Sequence, residues 1–369
     1  MFNKYLIYLK QFDWILFFIT LILICIGLVA VYSTSAVQEN SDFLNFKKQI
    51  IFGVTGIFFI FLLSFLNYHY LKIYSIIIYV IGIALLLAVL FFGISIRGTR
   101  GWFIVFGQIY QPVELIKIIL LIILCKLFSD WHGRLDNWSK VSISILLTGL
   151  MIFLVVLQPD FGSALILLGL YLGLLLFLKI KRIFLILIIF TLIITLTVTW
   201  LFILKDYQKD RVLTFLNPSR DPLGRGYNVS QSIIAIGSGQ IFGRGLGLGP
   251  QSRLNFLPLQ QTDFIFAVIA EQLGFFGSVL LLGLLATLFY RIVRIARLAR
   301  DDFGLLLAGG IGVLFFVQSF VNIGMNLGIL PVTGIPLPLV SYGGSSLLAS
   351  LLAIGILESI YIRHRKITF

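Results

Sequence analysis

Charge is what this 369-residue chain has least of: Asp, Glu, Lys and Arg together make up 12% of it, about half the share usual in water-soluble domains. Cysteine and histidine are scarcer still, with 2 and 3 residues. Cys25 and Cys125 lie deep in different apolar stretches, and His69, His132 and His364 only flank such stretches. A disulfide framework, a haem, an iron–sulfur cluster or a zinc site finds no ligand set here. No soluble-domain linker, low-complexity tract or clear internal repeat interrupts the chain, and no segment is left over for a soluble domain.

What the chain does have is apolar length. Hydrophobic residues account for 59% of it and the mean hydropathy is +1.06. Stretches of about 17 to 25 apolar residues recur throughout, each long enough to cross a bilayer as a helix. The pattern predicts an all-α polytopic membrane protein, a single integral domain over residues 1–369 with about ten spans. They fall near Trp14 to Thr34, Gln49 to Leu66, Leu71 to Phe92, Pro112 to Ser129, Val141 to Leu157, Pro159 to Leu178, Ile183 to Leu204, Phe264 to Val293, Gly304 to Leu327 and Gly343 to Tyr361. The opening stretch carries a signal peptide's lysines, but its apolar run reaches Val31, too long for an h-region and without a small-residue cleavage site. It reads as a retained first span.

The 28 basic residues outnumber the 15 acids, for a net charge of +13. With the N-terminus inside, the short linkers NYHYLK, SDWHGRLDNWSK, KIKR and RIVRIARLARDD and the end RHRKITF place 13 of the 28 basic residues in short segments on the cytoplasmic side. Both termini are therefore expected to be cytoplasmic. A large extracytoplasmic loop, residues 205–262 between spans 7 and 8, keeps Lys205, Lys209, Arg211, Arg220, Arg225, Arg244 and Arg253 outside. Such an outward cationic excess suits an anionic partner.

Ionisable residues within the apolar runs are the candidates for chemistry. Asp263 opens span 8 after Thr262, and Glu271 lies about two turns deeper. A helix-capping role for Thr262 and Asp263 would be worth about 0.3 to 1 kcal/mol; Glu271 is either functional or a partner for another helix. Glu114 and Lys117, at i and i+3 in span 4, can pair, and burying both is costly unless a polar cavity hydrates them. Arg97, Arg100 and Trp102 stand at the outer boundary beside glycines, as snorkelling and aromatic-belt residues or as a diphosphate clamp. Gln158 and Asp160 add to the polar set at the start of span 6. The run GRGLGLGP, residues 243–250, follows no strand and lacks Gly-Lys-Ser/Thr, so it reads as a flexible loop and not a nucleotide site. Three prolines, Pro331, Pro336 and Pro338, among glycines and hydroxyls in residues 325–346 imply a bent re-entrant segment lining an outward cavity.

These motifs resemble those of the SEDS proteins, the polytopic glycosyltransferases of cell-wall synthesis that include RodA and FtsW. NIGMNLGILPVTGIPLPLVSYGGSS is similar to the family's C-terminal signature, TDFIFAVIAEQLG to the segment holding its essential aspartate, RGWF with QPVELIK to the motif of Trp102, Glu114 and Lys117, and QPDFGS to a further block. The likeness covers nearly the whole chain, with departures: Val113 stands where the family often has Ser, Leu259 and Gln261 where Glu and His commonly precede the Thr-Asp pair, and Gln272 where a second acid is frequent. YNVSQSIIAIGSG looks more like RodA than FtsW.

The resemblance implies polymerisation of lipid II during cell-wall elongation, at the extracytoplasmic face of the bacterial inner membrane. Asp263 would be the catalytic base, or would position a divalent cation (Mg or Mn) or the sugar. Glu114, Lys117, Trp102, Arg97, Arg100, Gln158, Asp160, Glu271, Arg211 and Arg253 would bind substrate or line the cavity. The implied partners are a class B penicillin-binding protein, a transpeptidase in the same membrane, and the elongation machinery; nucleic acid has no place in this reading. The alternatives are a flippase for a lipid-linked precursor, an FtsW-like division paralogue, and a noncatalytic scaffold. Clustering of polar groups at the outer ends of spans 4, 6 and 8 favours an outward-facing enzyme over alternating access.

Overall fold

The computed structural model describes residues 10–36, 43–96, 98–105, 107–198, 201, 209 and 225–364. Helices stand at every predicted span. In chain order they are α1 (Trp14–Ala36), α2 (Leu44–Phe65), the short α3 (His69–Ile73) and α4 (Ser75–Phe92), which together divide the third predicted span, then α5 (Val113–Asp130), α6 (Trp138–Leu157), α7 (Phe161–Leu175) and α8 (Arg182–Val198). After α9 (Arg225–Ser238) and a single turn, α10 (Pro250–Arg253), come α11 (Ile265–Leu298), α12 (Asp302–Asn326) and α13 (Gly344–Ile362).

Among the described residues seven of these helices, α1, α2, α4, α6, α11, α12 and α13, are long and apolar enough to cross a membrane. Helix α5 has 18 residues but carries Glu114, Lys117, Lys126 and Asp130, while α7 has 15 and α8 has 17. Helix α5 tolerates charge because protein surrounds most of it. It packs against α12, α4 and α13, and Ile116, Leu120, Leu121 and Leu124 are fully buried.

The fold is not purely helical. Residues 94–110 form a small antiparallel sheet in the order β1 (Ile94–Ile96), β2 (Thr99–Val105), β3 (Gln108–Tyr110). Gly98 and Gly107 take positive φ at its two reversals, and the strands are rich in Ile, Val, Phe, Tyr and Trp, which favour a pleated surface. A two-residue parallel pair, β4 (Arg134–Leu135) with β5 (Lys179–Ile180), ties two linkers together.

A larger departure concerns the segment expected to be an extracytoplasmic loop, of which residues 225–262 are described. It does not stand off the bundle. Helix α9 packs along α11 and α12, and Ser232 Oγ donates to the Asn326 carbonyl at 2.8 Å. The chain then turns beside Ala270–Phe276, about 9 Å beyond the start of α11. Gly274 breaks the helix there with φ 67° and ψ −159°, which frees backbone groups for the neighbouring strand of chain. Arg244 and Gly245 donate their N–H groups to the Glu271 and Gln272 carbonyls at 2.9 and 3.0 Å, and Phe275 and Phe276 donate to Gln240 and Ile241 at 2.8 and 3.2 Å. A Cβ at Gly274 would sit 2.3 Å from the Gly243 nitrogen, and one at Gly243 2.1 Å from the Gln272 oxygen, so the two glycines permit the approach. The run expected to be a flexible loop is thus an ordered hairpin whose exposed side, Ile241, Phe242, Leu246 and Leu248, is apolar.

At the opposite end of the bundle, Asp13 joins α1, α11 and α13. Its carboxylate accepts Arg291 Nε at 3.0 Å and Nη2 at 2.5 Å, and its N–H donates to Glu358 at 3.0 Å. All three residues are buried.

Candidate active site

Asp263 lies two residues before α11. The turn leading into it is wound around one acceptor: Thr262, Asp263 and Phe264 all donate N–H to the Leu259 carbonyl, at 3.0, 3.1 and 3.4 Å. Thr262 is not the N-cap that its place before an apolar run suggests; its hydroxyl also turns back to Leu259, at 3.3 Å, and the cap position belongs to Phe264, which contributes no side-chain bond.

Polar side chains from across the fold hold this turn. On α12, Asn322 and Asn326 stand one helical turn apart, both fully buried, and each donates Nδ2–H to the Asp263 carbonyl at 3.0 Å. Asn326 Oδ1 accepts the Ala267 N–H at 3.1 Å, and Asn322 Nδ2 reaches the Ile335 carbonyl at 2.7 Å. Ser341 donates to the Thr262 carbonyl at 2.6 Å and accepts the Leu337 N–H at 2.9 Å. Gln261 donates to Thr34 and Ser35 at the end of α1 and accepts from Asn45 of α2. The half-buried Asp263 side chain is therefore carried on a backbone pinned by α1, α2, α12 and the proline-rich segment before α13. Its Oδ2 faces Gly334, where a Cβ would lie 3.6 Å away.

That proline-rich segment bends back as its composition requires and joins two helix ends. Gly162, in the first turn of α7, admits the Thr333 carbonyl so closely that a Cβ there would be 2.6 Å from the oxygen. Asp160 caps α7, accepting Ser163 N–H at 3.0 Å and Ser163 Oγ–H at 2.8 Å, and takes a third bond from Gln111 at 3.2 Å. Gln111 N–H in turn donates to Ser345 of α13 at 2.8 Å. Asp160 thus meets the ordinary helix-start role expected of such an acid.

Glu114 lies about one turn into α5 from Gln111. Lys117 Nζ donates to its Oε1 at 2.7 Å, with the residues only 5% and 1% exposed. The pair faces a cavity of about 10 Å³ lined by Gln318 of α12 and Ser350 of α13, room for about one water. Burial, and secondarily the Glu114 carboxylate, push the Tyr110 phenol up to about 12, so it remains a hydrogen-bond donor at neutral pH.

Other candidates do not join this group. The Arg100 guanidinium donates to the Gly93 and Phe91 carbonyls at 3.0 and 2.9 Å, satisfying the open end of α4. Its N–H donates to the Gln158 carbonyl, and Gln158 Nε2 donates to Leu86. Trp102 lies opposite Ile94 in the sheet. Arg100 and Gln158 thus seat the sheet on α4. The Glu271 carboxylate accepts the Gln251 and Ser252 N–H groups at 2.8 and 3.1 Å, holding α10 on α11, and Arg253 is exposed at the end of that turn. Arg97 and Arg211 lie outside the described residues. Asn322, Asn326 and Ser341 are site residues without charge, and so fall outside the ionisable set; two Asn at i and i+4 in an apolar helix were the available signal.

The arrangement offers one half-buried carboxylate on a pinned backbone beside a bent chain segment, with a buried ion pair about one turn into the neighbouring helix. The family model described as "Cell cycle protein" (FtsW, RodA, SpoVE) matches residues 13–366. The peptidoglycan glycosyltransferase MrdB of Escherichia coli K12 is 42% identical over 291 residues, 78% of each chain. A chain of a solved structure described as "Structural coordination of polymerization and crosslinking by a peptidoglycan synthase complex" superposes with a TM-score of 0.80 at 32% identity, covering 96% of this chain and 98% of that one. The rod-shape-determining protein RodA of Thermus thermophilus gives a TM-score of 0.70 at 28% identity, covering 95% and 96%. With a match running from Asp13 nearly to its last residue, the chain belongs to the FtsW/RodA/SpoVE family.

Proposed function

We propose that this protein is a RodA-like peptidoglycan glycosyltransferase that polymerises lipid II. The observation that carries the reading of the site is the double anchoring of the Asp263 carbonyl by buried Asn322 and Asn326. It fixes the backbone that carries the carboxylate, whose Oδ2 faces Gly334. In the reaction, a sugar hydroxyl of the acceptor attacks the anomeric carbon of the donor, the bond from that carbon to the pyrophosphate oxygen breaks, and the hydroxyl proton passes to Asp263. General-base assistance of this kind is worth about 10² to 10⁴ in rate. Lys117 supplies positive charge on the leaving-group side, and Glu114 holds that lysine in place.

Asp263 is also the residue that would hold a divalent cation. A single carboxylate with substrate phosphates is a donor set that Mg²⁺ accepts, and among the described residues no cluster of three acidic, His or Cys groups offers another site. Such an ion would neutralise charge on the departing pyrophosphate. Arg97 and Arg211 remain the cations suited to a phosphate clamp; Arg100 is committed to backbone carbonyls.

In the topology we propose, ten helical segments cross the bacterial inner membrane, both termini are cytoplasmic and Asp263 faces the outside. The short basic linkers then lie on the cytoplasmic side. The hairpin at residues 239–249 dips into the outer leaflet, where its apolar side chains suit lipid and its backbone is satisfied by α11. A class B penicillin-binding protein in the same membrane is the proposed partner, supported by likeness to a chain described within a synthase complex. Reconstituting the protein alone in vesicles with lipid II tests the activity. Glycan chains are expected, and transfer of lipid II between leaflets without polymer would indicate a flippase instead.

A further inference from the structure

The buried Glu114–Lys117 pair leaves hydrogen-bonding capacity unused. An ammonium carries three N–H donors, and Lys117 gives one to Glu114 Oε1 at 2.7 Å. Among the described residues it has no other partner. Bulk water does not reach so enclosed a side chain, and a buried charge with unmet donors is costly. The cavity of about 10 Å³ beside the pair is where those donors can be satisfied.

Three helices converge on that cavity. Gln318 of α12 and Ser350 of α13 line it together with the ion pair of α5. Both are buried, and among the described residues neither side chain has a hydrogen-bond partner within the protein. Ser350 thus departs from helical serines such as Ser144, whose hydroxyl returns to the Val141 carbonyl at 2.9 Å. The volume is far too small for a phosphate group. It suits about one water, which is retained in a buried site when it finds two to four polar partners. Size and lining together select the occupant.

We infer that one buried water accepts from Lys117 Nζ and donates to Gln318 Oε1 and Ser350 Oγ, so that Gln318 and Ser350 are positioning residues for the lysine. The part they play in turnover rests on the glycosyltransferase reading. Gln318 stands four and eight residues before Asn322 and Asn326 on α12, and the three amides follow one face of the helix over about 12 Å. Asn322 and Asn326 hold the Asp263 carbonyl, while Gln318 holds the water on Lys117. One helix therefore sets the separation between the carboxylate that takes the hydroxyl proton and the cation on the leaving-group side. An ammonium so enclosed acts as a fixed charge, and its effect depends on where it is held.

A high-resolution density map of the full chain in lipid nanodiscs should show one ordered water within hydrogen-bond reach of Lys117, Gln318 and Ser350. Gln318→Met keeps the side chain's length and removes the acceptor. It should lower the unfolding midpoint and reduce kcat for lipid II polymerisation about tenfold, the worth of one hydrogen bond to a charged group, with KM within about twofold. Ser319→Ala, the next residue on α12 and no part of the cavity lining, should leave kcat unchanged. Placed beside Glu114→Gln with Lys117→Met, Gln318→Met should lower the midpoint no further, because the water has already lost the ammonium; a merely structural Gln318 would cost the same in both backgrounds. A dry cavity, equal midpoint losses in the two backgrounds, or an unchanged kcat in Gln318→Met would overturn the inference. The map and the midpoints do not depend on turnover, so a chain that holds the water and couples Gln318 to Lys117 yet makes no glycan would sink the glycosyltransferase reading and leave the water bridge standing.

Discussion

Replacing Asn326 by Leu removes one of the two donors on the Asp263 carbonyl and strands the Ala267 N–H, which bonds to Asn326 Oδ1 at 3.1 Å. It also removes the Nδ2 bond to Asn322 at 2.8 Å. Each lost bond is worth about 1 kcal/mol net, less between membrane helices, and a stranded buried N–H costs about 1 to 3 kcal/mol. The expected loss of stability is therefore about 2 to 4 kcal/mol. Turnover should fall further than that loss explains, because the freed turn carries Asp263, and misplacement of a catalytic group by about 1 Å costs roughly 10²-fold. Ser232→Ala is the control: it removes the bond to the Asn326 carbonyl but leaves both Asn side chains in place, and should cost about 1 kcal/mol with turnover within a few-fold. Thermal unfolding in detergent and lipid II polymerisation well below the midpoint give both quantities. If folded Asn326→Leu turns over like Ser232→Ala, Asn326 is structural and the positioning argument fails.

Lys117→Ala should cripple polymerisation and lower the unfolding midpoint, since it leaves Glu114 buried without its partner, a loss of about 3 to 5 kcal/mol; if Glu114→Gln with Lys117→Met polymerises normally, the pair only joins the helix together. Arg100→Ala should lower stability by about 1 to 2 kcal/mol through two orphaned carbonyls and leave KM for lipid II within about twofold, whereas a tenfold rise in KM would return Arg100 to the phosphate clamp. Arg291→Ala should destabilise by about 3 to 5 kcal/mol because Asp13 and Glu358 are left buried without a cation; a midpoint shift of less than a degree or two would mean the cluster is already neutral.

Hydropathy located the helices because water-to-hydrocarbon transfer dominates the energy of such segments residue by residue. It was blind to what surrounds a helix. For α5, enclosure by protein accommodates the paired Glu114 and Lys117, while Lys126 and Asp130 pair at its more exposed end. Residues 225–254 read as a loop because they mix glycines with scattered apolar residues. Their placement depends on carbonyls released at Gly274, far along the chain. The fate of Glu271 likewise rests on N–H groups at Gln251 and Ser252, 20 and 19 positions earlier, a pairing that local spacing does not encode. Asp263 was legible as an acid at the head of an apolar run, and the 325–346 segment as a bend, from its prolines. The two asparagines that connect these features were not, because neutral amides barely alter hydropathy while their buried hydrogen bonds decide the geometry.

The central claim is that the Asp263 carboxylate takes part in glycosyl transfer and does not merely begin a helix. The direct measurement is the single-turnover rate of lipid II polymerisation by Asp263→Asn and Asp263→Glu, beside their unfolding midpoints. Asp263→Asn keeps the backbone carbonyl that Asn322 and Asn326 hold, so its stability should stay within about 1 kcal/mol of wild type. Its rate should fall roughly 10²-fold or more, with Asp263→Glu recovering part of the loss. A folded Asp263→Asn protein that polymerises lipid II within a few-fold of wild type would contradict the account.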